Sequence, residues 1–588
     1  MIANVISNRQ FRIPRLRSPI AFALALATAA CSSAPAPTPV LSSARSADQP
    51  VTAANAMVVS ASAIASSVGN QVLRDGGNAV DAAIATGFAL AVTYPTAGNI
   101  GGGGFMVIRF PNGQATTIDF REKAPLKAHA RMFLDSTGEY SSTIHHNSHI
   151  AVGVPGTVAG FALAWERYGS RAQAWSQVVQ PAVKLARDGF AAPPGLAASL
   201  GNAIRRSLAR YPASVQAYSK NGVAYQEGEV IKLPDLARTL ERIEKQGRDG
   251  FYKGETARLI AEEMKRGGGL ITEEDLGKYQ ARERIPVRGS YRGYEIVSMP
   301  PPSSGGVAMI EMLNILEGYD LRALGHNSAQ HIHYLAEAMR RAFLDRARHL
   351  ADPDFATVPV DRLTSKQHAQ QLRATIDPKK ASPSAPADVT LASESIETTH
   401  YSVVDKNGMA VSVTYTLEAG YGSGIVVPGA GFLLNNEMGD FNAKPGLTNA
   451  SGLIGTEPNL ARPEQRMLSS MTPSIIAKDG KLVAVIGSPG GRTIINTVLQ
   501  VTSNLIDFGM NIQQAVNAAR IHHQWLPDRI SIEQDGVTPA VAEQLKSMGH
   551  TVNVGGRQGT AHSIMIDASG KRLGAPDRRD RDAGAIGH

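Results

Sequence analysis

Two threonines eighteen residues apart, Thr398 and Thr416, carry the clearest indication of chemistry in this sequence. A threonine hydroxyl is a weak nucleophile, and one way to activate it is to use the residue's own α-amine as the base. An internal threonine has no free amine, so a nucleophilic Thr398 requires that the bond between Glu397 and Thr398 be cut first. The chain would then be a precursor. The ordinary alternative is structural, because β-branched residues such as the Thr398-Thr399 pair favour strands.

The elements around Thr398 favour the catalytic interpretation. Apolar residues alternate on both sides of a turn at 405–408, which predicts a β-hairpin. A turn centred on Asn407 pairs residues whose numbers sum to about 814, which places Thr416 opposite Thr398, within hydrogen-bonding reach of its amine or hydroxyl. The preceding stretch, 376–395, is polar and contains prolines, which predicts an exposed link before the bond to be cut.

Residues in three places after the hairpin add weight to this interpretation. Acidic side chains end a strand-like stretch near 434–441, a serine pair follows near 468–471, and a glycine pair lies between the strand 482–486 and a helical run. Two glycine amides at such a junction can point at one oxygen, as an oxyanion hole requires. The candidates are Glu437, Asp440, Ser469, Ser470, Gly490 and Gly491.

Arg121 stands at the end of the predicted strand 116–120. A guanidinium there can hold a carboxylate through two parallel hydrogen bonds, or it can be a solvated charge at the rim of a sheet, which is the usual outcome. The motif by itself leaves both interpretations open.

The glycine-rich stretch 98–105 raises a nucleotide site as an alternative function. It lacks the glycine spacing of a dinucleotide fingerprint, contains no Gly-Lys-Ser or Gly-Lys-Thr, and precedes a strand where that fingerprint precedes a helix. We therefore interpret it as close backbone packing.

Two further motifs have a catalytic and an ordinary interpretation. His145 and His149 stand four residues apart, as metal ligands on one helix face do, but no glutamate stands beside His145 as a zinc protease motif needs. The sequence therefore favours an exposed loop and no metal site. Ser303 and Ser304 follow a run of prolines and are predicted to cap a helix rather than to act as nucleophiles.

Composition is that of a globular chain of 588 residues, with 43% hydrophobic and 19% charged residues and ample length for a large core. The net charge is +8, but four arginines lie in the first thirty residues, which hold no acidic residue. The remaining positive charge is too small and too dispersed to predict a nucleic-acid partner.

The N-terminus predicts an export signal over 1–30. A basic segment leads into the apolar run 20–30, which is too short for an ordinary membrane span. Residues 31–50 are rich in Ala, Pro and Ser, which predicts a flexible tether before a folded region that begins near Val51.

Cys31, the only cysteine, follows the small residues Thr28, Ala29 and Ala30. This resembles a bacterial lipoprotein cleavage box, in which the cysteine carries the lipid, although Thr28 stands where leucine is usual and a plain signal peptide is the alternative. Ser32 follows, where an aspartate would indicate retention in the inner membrane. We expect a periplasmic protein, lipid-anchored at Cys31 to the outer rather than the inner membrane.

Six motifs, in order, resemble the gamma-glutamyltransferase (gamma-glutamyltranspeptidase) family of bacterial type. The resemblance covers essentially everything from about Val51 to the end, and although one motif can arise by chance, six in the family's order are highly specific. The motifs are LRDGGNAVDAA at 73–83, FREKAP at 120–125, PPPSSGG at 300–306, TTHYS at 398–402, LSSM at 468–471 and GSPGG at 487–491.

The resemblance implies the fold of the N-terminal nucleophile hydrolases, an α/β (α+β) four-layer αββα sandwich. It also implies a precursor that cuts itself between Glu397 and Thr398. The products would be a large subunit, 51–397, and a small catalytic subunit, 398–588, which form a heterodimer.

The resemblance also assigns a role to each candidate residue. Cations and hydroxyls would face the α-carboxylate of the substrate, and carboxylates would face its α-amino group. The nucleophile and its supporting hydroxyl would be Thr398 and Thr416, the oxyanion donors Gly490 and Gly491, the carboxylate ligands Arg121, Ser469 and Ser470, and the ammonium ligands Glu437 and Asp440.

The implied activity is transfer of the γ-glutamyl group of glutathione and related γ-glutamyl amides, through an acyl-enzyme on Thr398 and with no cofactor. The acceptor would be water, an amino acid or a dipeptide. Two positions depart from the family's pattern. Glu418, a plausible further contact for the substrate amine, stands where many relatives have asparagine. Ser451 stands where the gate loop, 444–457, usually carries an aromatic residue, so gate closure would be looser.

Two other functions remain as alternatives. A cephalosporin or glutaryl acylase would use the same fold, but the ammonium-binding acids Glu437 and Asp440 argue against it. A non-catalytic lipoprotein on this scaffold would lack the nucleophile or the oxyanion glycines, and this chain has both.

Overall fold

The computed structural model describes residues 48–385, 397–445 and 457–588. These residues belong to one compact unit that spans Ser46–His588. The export signal, Cys31 and most of the tether lie outside the described residues, as do Ser451 and the end of the link before Glu397. Within the described part of the chain, no helix combines the length and the apolar character needed to cross a membrane.

Nineteen strands and nineteen α-helices are present among the described residues. The strands are β1 (Val51–Ala53), β2 (Met57–Ser60), β3 (Gly103–Arg109), β4 (Ala115–Phe120), β5 (Phe190–Ala191), β6 (Val230–Ile231), β7 (Arg282–Arg284), β8 (Val287–Tyr291), β9 (Tyr294–Ser298), β10 (Thr399–Val404), β11 (Ala410–Thr416), β12 (Ser474–Lys478), β13 (Lys481–Ile486), β14 (Ile521–His522), β15 (Ile530–Ile532), β16 (Val552–Val554), β17 (Ser563–Ile566), β18 (Arg572–Ala575) and β19 (Gly584–Gly587).

The helices are α1 (Ala63–Arg74), α2 (Ala79–Thr93), α3 (Ser142–His146), α4 (Thr157–Tyr168), α5 (Trp175–Asp188), α6 (Pro194–Arg205), α7 (Pro212–Tyr218), α8 (Pro234–Gln246), α9 (Asp249–Tyr252), α10 (Gly254–Gly267), α11 (Glu273–Lys278), α12 (Gly305–Leu316), α13 (Leu321–Leu324), α14 (Ala329–His349), α15 (Val360–Leu363), α16 (Lys366–Arg373), α17 (Thr493–Ile506), α18 (Ile512–Asn517) and α19 (Pro539–Ser547).

Two seven-stranded sheets form the centre of the molecule. Their strand orders are β1-β18-β17-β13-β12-β9-β8 and β19-β2-β10-β11-β3-β4-β7. Successive side chains of a strand point to opposite faces, so the contacts made by neighbouring residues of β3 show how the two sheets and the helices stack. Phe105 and Val107 share a core with Ile475 and Val485 of the other sheet, whereas Met106 packs with helices α2, α4 and α5. Helices α12, α14 and α17 cover the first sheet, so the predicted four-layer αββα sandwich is confirmed.

The predicted hairpin is confirmed in its register. β10 and β11 pair antiparallel from Thr399 opposite Tyr415 to Val404 opposite Ala410, so that paired numbers sum to 814. Thr398 and Thr416 therefore lie side by side at the open end of the hairpin. Both strands are central in their sheet, which holds this end of the hairpin in place.

The glycine-rich stretch makes close backbone contacts, as predicted. A Cβ atom at Gly104 would lie 2.4 Å from the carbonyl oxygen of Thr414, and one at Gly102 would lie 2.1 Å from that of Thr416. Only glycine lets β3 approach β11 at these points.

The prediction of an exposed loop at the histidines is wrong. His145 lies in α3 and His149 in a 3₁₀ turn, and both are buried. His149 Nε2 contacts Glu263 Oε1 at 2.8 Å, and His145 packs against Phe133. The sequence pattern gave no sign of this burial, because the partners of the two rings, Met438 and Glu263, lie far away in the chain.

Candidate active site

The bond between Glu397 and Thr398 is intact, and its carbonyl oxygen accepts two hydroxyl hydrogen bonds. Thr398 Oγ1 donates to it at 2.6 Å and Thr416 Oγ1 at 3.1 Å. The backbone N–H of Glu418 donates to Thr416 Oγ1 at 2.9 Å and orients that hydroxyl. We expected Thr416 to contact the amine or hydroxyl of Thr398. It contacts the carbonyl of Glu397 instead, because the nitrogen of Thr398 is still part of an amide.

Two cavities meet at this bond, and both are lined in part by Glu397 and Thr398. The first, called here the head-group cavity, measures about 20 Å³, which is room for a water molecule but not for an amino acid. Most of the predicted site residues surround it. They are Thr398, Thr416, Glu418, Glu437, Asp440, Ser469, Ser470 and Gly491.

The second cavity, called here the outer cavity, measures about 450 Å³ and shares Glu397 and Thr398 with the first. Gly490 lines this cavity, whereas Gly491 lines the head-group cavity. The two glycines therefore stand at the junction, next to the carbonyl that a nucleophile at Thr398 would attack.

The loop that carries these glycines has the predicted position, between β13 and α17. Gly490 and Gly491 have φ values of +130° and +54°, a backbone conformation that residues with a side chain rarely adopt. A Cβ atom on Gly490 would also lie 2.4 Å from Thr493 Oγ1. Glycine is therefore required for the backbone to take this course beside Thr398.

Arg121 is fully buried and is already paired in the uncut chain. Its guanidinium donates hydrogen bonds to Glu437 and Asp440, and also to the carbonyl of Leu468 at 3.2 Å. The predicted carboxylate ligand and the predicted ammonium ligands thus contact one another. Direct contact of Arg121 with a substrate carboxylate remains a prediction.

A third acid, Glu122, lies 3.6 Å from the guanidinium of Arg121. Burial raises the pKa of Glu122 and the pKa of Glu437, each to about 8. Burial opposes the charge on Arg121, but the neighbouring carboxylates outweigh it and raise the pKa of Arg121. One guanidinium cannot neutralise three buried carboxylates, so part of this cluster is protonated at neutral pH.

This cluster makes stability depend on pH. The pKa of Glu122 is about 8 in the folded chain and 4.5 ordinarily, so between those values the folded state holds a proton that the unfolded state has lost. Stability therefore falls as pH rises through this window, by up to about 1.4 kcal/mol per pH unit. We expect Glu122→Gln to flatten this loss, measured by urea unfolding at pH 5, 6, 7 and 8.

The matched control for Glu122→Gln is Glu139→Gln, which removes an exposed carboxylate. It should keep the slope of the unmodified chain. An equal slope in the Glu122→Gln variant would show that Glu122 does not hold the extra proton.

Ser469 and Ser470 are held from behind by residues that the sequence analysis missed. Arg346 on α14 is buried and donates to Ser470 Oγ at 3.0 Å and to Ser304 Oγ at 2.8 Å. Ser304 Oγ in turn donates to the carbonyl of Ser469 at 2.6 Å. Arg346 thereby holds Ser470 Oγ in a fixed position at the wall of the head-group cavity.

The predicted capping role of the Pro-Pro-Ser-Ser loop is only partly confirmed. Ser303 Oγ accepts from the N–H of Gly305 at 3.1 Å, at the start of α12, but the Ser304 side chain makes no capping bond. Ser304 supports the serine pair instead. The chain positions 304, 346 and 470 are too far apart for spacing alone to suggest this contact.

Glu418 has a φ of +79°, a strained value for a residue with a side chain. Its side chain accepts a hydrogen bond from Asn436 and lies 3.8 Å from His146 Nδ1. The strained backbone lets the Glu418 N–H reach Thr416 while the carboxylate lines the head-group cavity. Asn436 and His146 are further contacts that the sequence did not indicate.

Two groups of histidines and carboxylates among the described residues are close enough together to hold a metal ion. They are His333, Glu337 and His550, and Glu311, Asp345 and His368. Neither group lines the head-group cavity or the outer cavity. The lining of the two cavities offers hydroxyl groups, glycine backbone and charged side chains.

An αββα sandwich that places a threonine just before a central strand, with hydroxyls on the carbonyl before it and a glycine pair in the lining of the adjoining cavities, has the architecture of the N-terminal nucleophile hydrolase class. A profile described as gamma-glutamyltranspeptidase matches residues 65–587. The glutathione hydrolase proenzyme of Escherichia coli (strain K12) is 49% identical over 536 residues, which are 91% of this chain and 92% of that protein. The chain belongs to the gamma-glutamyltranspeptidase family.

Solved structures agree with this assignment. The gamma-glutamyltranspeptidase of Helicobacter pylori is 48% identical, with a TM-score of 0.53, over 54% of this chain and 91% of that chain. The cephalosporin acylase from Bacillus halodurans is 26% identical, with a TM-score of 0.81, over 94% of this chain and 99% of that chain. The fold is thus shared between transpeptidases and acylases, and the site must distinguish them.

Proposed function

We propose that this chain matures by cutting itself at Glu397-Thr398 and then acts as a gamma-glutamyltransferase and glutathione hydrolase. The observation that carries the proposal is the Glu397 carbonyl, which accepts from Thr398 and Thr416 beside a cavity whose lining includes Glu437, Asp440, Ser469 and Ser470. That set of side chains complements the ammonium and carboxylate of an amino-acid head group.

Maturation begins with an acyl shift within the chain. Thr398 Oγ1 forms a bond to the carbonyl carbon of Glu397, the C–N bond breaks, and the hydroxyl proton passes to the nitrogen. Thr416, which already donates to the carbonyl oxygen, stabilises the charge that develops there. Water then hydrolyses the ester, which restores the Thr398 hydroxyl and leaves Glu397 with a free carboxylate. Departure of Glu397 enlarges the space beside Thr398.

Catalysis repeats this chemistry on the substrate. The free amine of Thr398 accepts the hydroxyl proton while Oγ1 attacks the γ-carbonyl carbon of a γ-glutamyl amide such as glutathione. Gly490 and Gly491 hold the oxyanion, the amide C–N bond breaks, and the leaving amine takes the proton. Water or the amine of an acceptor then attacks the acyl-enzyme, and the C–O bond to Thr398 breaks.

Thr416→Val tests the role of the second hydroxyl, because valine keeps the shape and removes the donor. A lost hydrogen bond of about 1.5–3 kcal/mol to a developing oxyanion slows the step by about 10- to 100-fold. We expect uncut chain to persist correspondingly longer, measured as the fraction of precursor on denaturing gels over time after synthesis. Thr416→Ser keeps the hydroxyl and should cut within a few fold of the unmodified rate; equal rates for serine and valine variants would contradict the role.

The activity itself is tested with a chromogenic γ-glutamyl anilide and fully processed protein. We expect release of the aromatic amine without an acceptor, through hydrolysis, and faster release with glycylglycine, through transfer. If processed protein releases no aromatic amine, the proposed activity is wrong.

An acylase is the second candidate, supported by the fold shared with the Bacillus halodurans cephalosporin acylase. A glutaryl side chain has no α-amino group, so it would bring no second cation to the acids at the head-group cavity, which outnumber the guanidinium of Arg121 that pairs with them. Glu437 and Asp440 both line that cavity. This observation favours the γ-glutamyl substrate, and glutaryl-anilide release should be slower by about 10²-fold or more.

For location, we propose export to the periplasm with a lipid anchor at Cys31, at the outer rather than the inner membrane. The sequence features of 1–31 support this proposal. Labelling with a fatty-acid probe tests it, with Cys31→Ala as the unlabelled control. The mature protein is then a heterodimer of 51–397, preceded by the tether, and 398–588.

A further inference from the structure

We propose that Glu311, Asp345 and His368 bind a Zn²⁺ ion that fastens helix α16 to helices α12 and α14. The three residues lie one on each of these helices, and each offers a ligand atom within 4.8 Å of the other two. None of the three lines the cavities at Thr398. The inference is therefore independent of the proposed function and concerns how the helices that cover the first sheet are held together.

Glu311 is the residue that points most clearly to a ligand. It is the only charged residue of α12, and every residue of that helix is buried. Glu311 itself is 1% exposed, and its Oε1 has no hydrogen-bond partner among the described residues. A buried carboxylate is normally paired, hydrogen-bonded or bound to a metal ion. This carboxylate thus has room for a partner that the described chain does not supply.

Asp345 and His368 lie beside Glu311 at the edge of the buried region. Asp345 Oδ2 is 2.6 Å from His368 Nε2, and Asp345 Oδ1 is 3.9 Å from His349 Nε2. In the described parts of the chain, neither Asp345 nor Glu311 has a Lys or Arg nitrogen within 4.0 Å. The His349 side chain is 34% exposed, against 10% for Asp345, so an ion and its remaining water ligand can enter from the side of His349.

The donor set selects the kind of ion. Zn²⁺ accepts both carboxylate oxygen and imidazole nitrogen, at about 2.0–2.2 Å in a tetrahedral arrangement, whereas Ca²⁺ and Mg²⁺ prefer oxygen ligands alone. Ligand atoms of such a tetrahedron are about 3.3–3.6 Å apart, so the span of 4.8 Å closes with a small movement of the side chains. The two charges of the ion would balance those of Glu311 and Asp345.

The second group of potential ligands, His333, Glu337 and His550, is already satisfied within the chain. Glu337 pairs with Arg340 at 3.2 Å and with Arg341 at 2.6 Å. His333 Nδ1 contacts His550 Nε2, and His333 Nε2 contacts a backbone carbonyl oxygen, both at 2.8 Å. Two arginines beside the carboxylate also repel a cation. This group therefore serves as the matched control for the proposed site.

The test uses the full chain, prepared without a polyhistidine tag, stripped with EDTA and then dialysed with ZnCl₂. We expect about one Zn²⁺ per chain by elemental analysis, and a Tm higher by about 2–4 °C when Zn²⁺ is in hundredfold excess over its Kd. MgCl₂ and CaCl₂ at the same concentration should leave the Tm unchanged. Glu311→Gln keeps the shape and removes an anionic ligand, and His368→Ala removes the nitrogen. Each variant should unfold cooperatively but lose both the bound Zn²⁺ and the rise in Tm.

The control variant is His550→Ala, which changes the second group and should bind Zn²⁺ like the unmodified chain. An unmodified chain that retains no Zn²⁺ would overturn the inference, as would a full equivalent of Zn²⁺ in Glu311→Gln or in His368→Ala. Loss of Zn²⁺ from His550→Ala alone would also overturn it, because the ion would then belong to the second group. The anilide assay of the proposed function has no part in these measurements, so either proposal can fail without the other.

Discussion

Thr398→Ala yields one uncut chain that releases no amine from a γ-glutamyl anilide. The variant lacks the hydroxyl that attacks the Glu397 carbonyl, so neither the acyl shift nor the later acyl transfer has a nucleophile. We expect the two subunits that end at Glu397 and begin at Thr398 to be absent from denaturing gels, and the rate to fall by about 10⁴-fold or more. Thr416 Oγ1 remains in the variant, but it donates to the carbonyl oxygen and is assigned to stabilising the charge there rather than to attack.

Thr399→Val is the matched control for this experiment. Thr399 Oγ1 is buried and has no hydrogen-bond partner among the described residues, so its removal costs no interaction. The control should cut and turn over like the unmodified chain, whereas Thr398→Ser should cut because it keeps a hydroxyl. Two subunits in the Thr398→Ala variant would falsify the scheme.

Arg121→Met destabilises the precursor by about 3–5 kcal/mol at pH 8, because it leaves buried carboxylates without their cation. Glu437 and Asp440 both depend on this guanidinium, and Glu122 lies 3.6 Å from it. The loss should shrink at pH 5, where the raised pKa of Glu122 and of Glu437 lets both acids stay protonated at little cost. The free energy of unfolding is measured with urea at pH 8 and at pH 5, with Thr398→Ala added so that the chain is not cut.

A rescue variant distinguishes two causes of the lost stability, unpaired charge and poorer packing. Adding Glu437→Gln and Asp440→Asn to Arg121→Met removes the uncompensated charges and keeps the shapes, so most of the lost stability should return. If the triple variant is as unstable as Arg121→Met, the loss comes from packing and not from unpaired charge. In otherwise unmodified, processed protein, Arg121→Met should also raise the KM for the anilide by about 10- to 100-fold, because the acids that it orients line the head-group cavity.

Local patterns were enough to predict several elements. The predicted strands 116–120 and 482–486 are present as β4 (Ala115–Phe120) and β13 (Lys481–Ile486), each one residue longer at its start. The β10–β11 hairpin has its predicted register because a strand's side chains alternate with a period of two, and the turn then determines which residues pair. The sequence alone therefore predicted that Thr398 and Thr416 are neighbours.

Contacts between distant segments could not be predicted in the same way. The sequence named Arg121, Glu437 and Asp440 as ligands for a substrate, and nothing in their spacing showed that they contact one another. The buried His145 was expected on an exposed loop, and Arg346 was not noticed because its role depends on Ser304 and Ser470. Burial is a property of the assembled layers, so a polar side chain carries no local sign of it.

The sequence by itself predicted the nucleophile and the bond to be cut, and its short motifs indicated the family, whose resemblance implied the sandwich fold. Only the tertiary structure decided how the charges are shared, because pairing and pKa depend on burial and on distances across several hundred residues. It also showed that Thr416 contacts the carbonyl of Glu397 and that two cavities meet at Thr398.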